Sequence, residues 1–157
     1  MFSFEVVTVN LHDATTYELA DTATGTLKTN GTLSVTFKAA AGSYYVAVKG
    51  VNLLQTWTAD PITVGATPAS YDFSTAATQA YGSNMVEVVS GVWAFYSGDI
   101  NQDEVVDNSD ADTLFLDIEN SNFGVLATDL NGDGVIDNSD TDAFFINVEN
   151  SIYSNHP

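Results

Sequence analysis

Along residues 2–98 apolar and polar positions alternate in short runs. Val7, Val9 and Leu11 alternate with Thr8 and Asn10, and Leu33, Val35 and Phe37 alternate with Ser34, Thr36 and Lys38. A period of two puts successive side chains on opposite faces of a strand. The same pattern predicts strands over 4–11, 17–20, 25–28, 32–38, 44–49, 53–58, 62–64, 71–73, 86–89 and 92–96. Asn30 and Gly31, between two of these, are a hairpin-turn signal. Many short strands with turn residues between them predict a small antiparallel β-sandwich over residues 1–97.

The period changes at Ser109. Ala111, Leu114, Phe115 and Ile118, and later Thr141, Phe144, Phe145 and Val148, recur at helical spacing. Ser109 and Ser139 are the N-cap candidates, with Asp112 and Asp142 three residues on as capping-box partners. Each helix follows a loop, DINQDEVVDNSD at 99–110 and DLNGDGVIDNSD at 129–140. Aligning 99–123 with 129–153 gives 13 identities in 25 positions, so the chain carries an internal repeat.

Each loop places oxygen side chains at positions 1, 3, 5, 9 and 12. In the first loop these are Asp99, Asn101, Asp103, Asp107 and Asp110; in the second, Asp129, Asn131, Asp133, Asp137 and Asp140. Position 7 adds a backbone carbonyl, from Val105 and Val135. That spacing suits calcium, which takes six to eight hard oxygen ligands at roughly 2.3–2.6 Å and must be wrapped by a short loop. Four carboxylates per loop repel one another until a divalent cation sits among them, so binding and local folding are expected to be one event. Position 6 needs a tight turn. Gly134 supplies it in the second loop; Glu104 stands there in the first, at a cost of roughly a kcal/mol or more, which predicts a weaker first site.

No helix precedes the first loop, so each repeat is half of an EF-hand. The tandem loop-plus-helix unit of residues 98–157 resembles a dockerin. That resemblance implies two bound calcium ions and docking onto a cohesin-type partner through loop positions 10 and 11 and the helix surface, here Asn108, Ser109, Asn138 and Ser139. A β module followed by SGDINQD and ATDLNGDG is also similar to C-terminal modules of secreted bacterial surface proteins, especially of Bacteroidetes-like lineages. The expected architecture is therefore mainly β plus a small α part: an Ig-like antiparallel β-sandwich over 1–97 and a dockerin-like, two-loop, two-helix calcium-binding domain over 98–157.

Charge changes the picture of partners. The chain has 157 residues and a formal net charge of −18, and residues 99–157 hold 14 of its 21 acids and none of its 3 Lys; Arg and Cys are absent. So acidic a surface argues against nucleic acid and anionic membranes. No stretch reaches the roughly 18 apolar residues of a membrane span. MFSFEVV lacks the basic and apolar regions of a signal peptide, and loops of this kind suit extracellular calcium levels; the expected setting is secreted, at the cell surface.

Other chemistry is thinly represented. His12 and His156 lie near opposite ends of the chain, and zinc or acid–base catalysis needs clustered groups. No glycine-rich phosphate loop or HExxH occurs, and the dense carboxylate pairs are accounted for as calcium ligands, so no enzyme is expected. Tyr44, Tyr45, Trp57, Tyr71, Tyr81 and Trp93 are read mainly as core, with a sugar-stacking platform as the alternative. Asn30-Gly31-Thr32 is an N-glycosylation sequon, and Asp21-Thr22-Ala23 fits an O-glycosylation pattern known in Bacteroidetes-like bacteria. The expected function is a non-catalytic, calcium-stabilised extracellular module, structural or adhesive. The apolar run Phe2, Phe4, Val6, Val7 and Val9 motivates self-assembly into a filament: if surplus to its own sheet, that strand adds to a neighbour's edge. The alternatives are a dockerin bound to a cohesin and a carbohydrate-binding accessory module.

Overall fold

A computed structural model of the chain describes residues 6–124 and 126–157. The chain is mainly β, with antiparallel sheets and two short helices. It divides into two compact units. Of the described residues, one holds 6–49, Gln55–Phe95 and Asn155–Pro157; the other holds Gly50–Leu54 and Tyr96–Ser154. The chain thus leaves the first unit at Gly50, returns at Gln55, and its last three residues belong there as well.

In the sheet unit, β1 (Val6–Asp13) is the centre of a five-stranded antiparallel sheet. It pairs with β2 (Leu19–Thr26) on one side and with β3 (Gly42–Lys49) on the other. The far edge of β3 takes β4 (Thr56–Trp57) and β5 (Ile62–Val64) in turn. A separate hairpin joins β6 (Val86–Val89) to β7 (Val92–Ala94). The period-two pattern sets the buried face: Val7, Val9 and Leu11 of β1 and Tyr44, Val46 and Val48 of β3 form the core. Fully burying each such side chain stabilises by about 1.5–3 kcal/mol. Leu27, Leu33, Val35, Phe37 and Ala39 pack over one part of that face, and Ile62, Val64, Phe73 and Phe95 over the rest.

Several strand expectations change. The expected strands at 17–20 and 25–28 are one continuous β2, and Tyr17 sits in the preceding turn at φ 60°. Residues 32–38 alternate as expected but pair with no strand, and 71–73 are irregular. The Asn30–Gly31 turn does form: Gly31 has φ 76°, and the Lys28 amide donates to the Thr32 carbonyl. The N-terminal run is not surplus from Val6 onward, because β1 is paired on both sides; Phe2 and Phe4 lie outside the described residues.

In the repeat unit, α1 (Asn108–Glu119) and α2 (Thr141–Glu149) follow the two loops. Their core is a set of equivalent pairs: Val106 with Ile136, Leu114 with Phe144, all 2% exposed or less, flanked by Ile118 and Val148. The expected helix face therefore holds except at Phe115 and Phe145, which are 43% and 41% exposed and touch each other at 6.1 Å. The repeats are cross-tied. Val105 bridges to Tyr153, past α2, and Val135 bridges to Phe123, past α1. Both helices end the same way, on Asn120 and Asn150, followed by Ser121 and Ser151 at φ 50° and 52°. Among the described residues no helix is long and apolar enough to cross a membrane.

Candidate metal centre

The two loops share most of their hydrogen bonds and differ at position 4, where the Gly132 amide donates to Asp129 at 2.9 Å and Gln102 Nε2 donates to the Asp99 carbonyl. In the first, the buried Asp110 carboxylate accepts from the amides of Ile100, Asn101 and Asp107 at 2.7–3.0 Å. In the second, the buried Asp140 accepts from Leu130, Asn131 and Asp137 at 2.8–3.1 Å. Asn101 accepts from the Asp103 amide and Asn131 from the Asp133 amide, each at 2.9 Å. Asp103 and Asp133 accept from Val105 and Val135. Asp99 accepts from the Glu104 amide at 3.3 Å and Asp129 from the Gly134 amide at 3.0 Å. Each loop thus turns its oxygen side chains onto the amides of its own short stretch of chain.

The capping expectation is corrected. The N-cap of α1 is Asp107, whose side chain accepts from the Ser109 amide, with Asp110 as the reciprocal capping-box partner. Ser109 and Asp112 do not cap. The same bonds recur at Asp137, Ser139 and Asp140, although α2 begins one turn later, at Thr141. In the first repeat positions 9 and 12 therefore also cap the helix, tying loop to helix, whereas α2 has no side-chain cap bond at its N-cap, Asp140. The Ser109 hydroxyl, then its amide, holds the Asp107 carboxyl below its ordinary value. At Asp137 the Ser139 amide is the larger cause and its hydroxyl the smaller.

The loops differ at the backbone. Glu104 sits at φ 74° and Gly134 at φ 82°, as position 6 requires. Position 4 makes the same demand, with Gln102 at φ 63° and Gly132 at φ 77°. The first loop thus places two non-glycine residues in the left-handed region where the second uses glycine twice. The signal for position 4 was present in the sequence as Gly132, the first glycine of NGDG, but the five-ligand pattern does not call for it.

The donor set decides which ion it suits. Among the described residues no group of three or more His, Cys, Asp or Glu stands ready to hold a metal; the carboxylates are turned onto loop amides. Amide and carbonyl oxygens make up part of a calcium shell as well. The oxygens gathered here are all hard, and Asp99, Asp110 and Asp140 are 0%, 0% and 1% exposed in a stretch without Lys or Arg. Buried carboxylates without a cationic side chain are costly, and a divalent cation offsets that cost. The residues fit such an ion.

Asp117 has a different task. Its carboxylate accepts from Asn122 Nδ2 at 2.8 Å and from the hydroxyl of the buried Thr128 at 2.6 Å, fixing the connector between the repeats. Its equivalent, Asn147, donates to the Ser97 carbonyl at 2.8 Å. Neither role is legible in residue type or spacing.

The aromatic residues do not form one platform. Tyr44 lies in the core, and Trp57 is only 6% exposed. Tyr71 donates to the Gln79 carbonyl and packs on Phe73. Tyr45 is outside the core, contrary to expectation, with Tyr17 at 6.1 Å and Tyr81 at 6.3 Å. The two histidines, far apart in sequence, flank Trp57, His12 at 4.1 Å and His156 at 5.7 Å. Thr22 is exposed and donates to Asn10 Oδ1. Compared with family models, with curated proteins and with solved structures, the chain finds no match.

Proposed function

We propose that this chain is a non-catalytic, calcium-stabilised extracellular module with a structural or adhesive role. The observation that carries the reading is the repetition of one oxygen-rich hydrogen-bond scheme in two loops of an otherwise cation-free stretch. In this reading Asp99, Asn101, Asp103, Asp107, Asp110 and the Val105 carbonyl hold one ion. Asp129, Asn131, Asp133, Asp137, Asp140 and the Val135 carbonyl hold the other. Bound calcium would supply the positive charge that the repeat unit lacks and clamp loop to helix. The sheet and the chain that covers its apolar face correspond to the Ig-like sandwich of this reading. Thermal melting tests it: millimolar calcium raises the melting temperature and chelator reverses the gain. A melt indifferent to calcium would refute it.

A docking role is favoured by one feature of the repeat unit. Leu116 and Ile146, at equivalent positions, are 57% and 58% exposed beside Phe115 and Phe145, and Asn108, Ser109, Asn138 and Ser139 are exposed too. A cohesin-type partner recognising that ridge would be captured with calcium and released by chelator; capture unaffected by chelator would remove this reading.

A further inference from the structure

One stretch of the sheet unit has the side-chain arrangement of a strand and lacks a strand partner. Over 33–39, Leu33, Val35, Phe37 and Ala39 pack on the core while Ser34, Thr36 and Lys38 are exposed. Yet among the described residues the main-chain groups of 33–37 enter no hydrogen bond. The segment is tied only at its ends, by the Lys28–Thr32 bond and by the Asp21 carboxylate, which accepts from the amides of Lys38 and Ala39. The side chains it offers to the core are half-buried, whereas Val7, Val9 and Leu11 are at most 5% exposed. An extended segment with one apolar face and unpaired amides and carbonyls is a template for strand addition. No proline or inward-facing charge, the usual devices for blunting such an edge, interrupts it.

The same unit displays a strand that matches. Among the described residues β6 pairs only with β7, and Val88 and Val89 are 55% and 62% exposed. The outer side of β7 is already engaged, by the Trp93 amide on the Ser74 carbonyl. Lys28 and Lys38, two of the chain's three cations, are exposed at the two ends of the unpaired segment, and Glu87 is exposed on β6. In a chain of net charge −18, Lys28 and Lys38 on the one surface and Glu87 on the other are opposite in sign, which favours their meeting.

We propose that residues 33–37 accept β6 of a second copy of this chain by main-chain pairing. Donor and acceptor are different surfaces, so the contact is heterologous and repeats head to tail into an open chain unless it closes a ring. The inference rests on the structural-module reading and gives it its joint. The joint lies wholly in the sheet unit, so it and the calcium loops fail separately.

The chain has no cysteine, so introduced ones report contacts cleanly. Ser34→Cys and Val88→Cys proteins, mixed in millimolar calcium and oxidised, should give the mixed disulfide in preference to either homodimer. Thr36→Pro, at an outward position with an unpaired amide, should abolish assembly in light scattering while leaving monomer melting and calcium binding unchanged. Asp129→Ala should lose the tighter calcium-binding step and keep the mixed disulfide. A predominant Ser34→Cys homodimer would overturn the heterologous joint. Monomers at high concentration, with no cross-link in any mixture, would overturn strand addition.

Discussion

The first and second loops carry the same oxygens on different backbones. Both bury the position-12 carboxylate on three amides, and both turn positions 4 and 6 to positive φ. The second does so with Gly132 and Gly134; the first strains Gln102 and Glu104. The comparison teaches that a ligand list ranks two sites as equal, whereas the cost of arranging those ligands ranks them apart. The second site is the stronger one in this account.

The largest expected effects test whether the repeats share one core. Phe144→Ala should cost about 3–5 kcal/mol and its counterpart Leu114→Ala about 2–5 kcal/mol, read by denaturant unfolding with calcium present. A loss below about 1 kcal/mol at either position would break the equivalence. Next come the oxygens. Asp129→Ala should weaken calcium binding at the second site at least tenfold, about 1.4 kcal/mol, while the exposed Asp112→Ala leaves both sites intact. Asp117→Ala sharpens the contrast: it strips a bond from the buried Thr128 hydroxyl. It should lower stability by about 1–3 kcal/mol with little change in affinity per site.

The backbone exchange is smaller. Gln102→Gly with Glu104→Gly should tighten the first site several-fold, at roughly a kcal/mol of relieved strain per residue. Titration showing no change would mean that strain does not separate the sites. The smallest effect concerns Asp107 and Asp137 in chelated protein. Their carboxyl values are lowered in the folded state. The stabilisation this reflects is present above the ordinary carboxylate value and fades as pH falls through the lowered one. Removing the hydroxyl, in Ser109→Ala and Ser139→Ala, should raise each neighbouring carboxyl towards its ordinary value. NMR titration of the carboxyl carbons would show it, and unchanged titrations would contradict it.

Legibility differed across the molecule for physical reasons. The loops were legible because ligand chemistry restricts residue type at fixed spacing, as at Asp99 and Asp129. Val7, Val9 and Leu11 were legible because burial on one face imposes a period of two. Pairing was not: residues 33–37 show the same alternation, yet alternation reports a buried face and says nothing about where main-chain bonds go. Nor did helical spacing separate the buried Phe144 from the half-exposed Phe145, since adjacent positions both lie near one face of a helix. The cap moved from Ser109 to Asp107 because two oxygen-bearing residues competed within one turn, and the reciprocal bond from Asp110 decided between them.

The central claim meets its most direct test in a calorimetric titration of the chelated protein with calcium. Two ions per chain should bind, one step tighter than the other, with the tighter step lost in Asp129→Ala. No binding at millimolar calcium would contradict the account, as would two sites equally affected by that substitution.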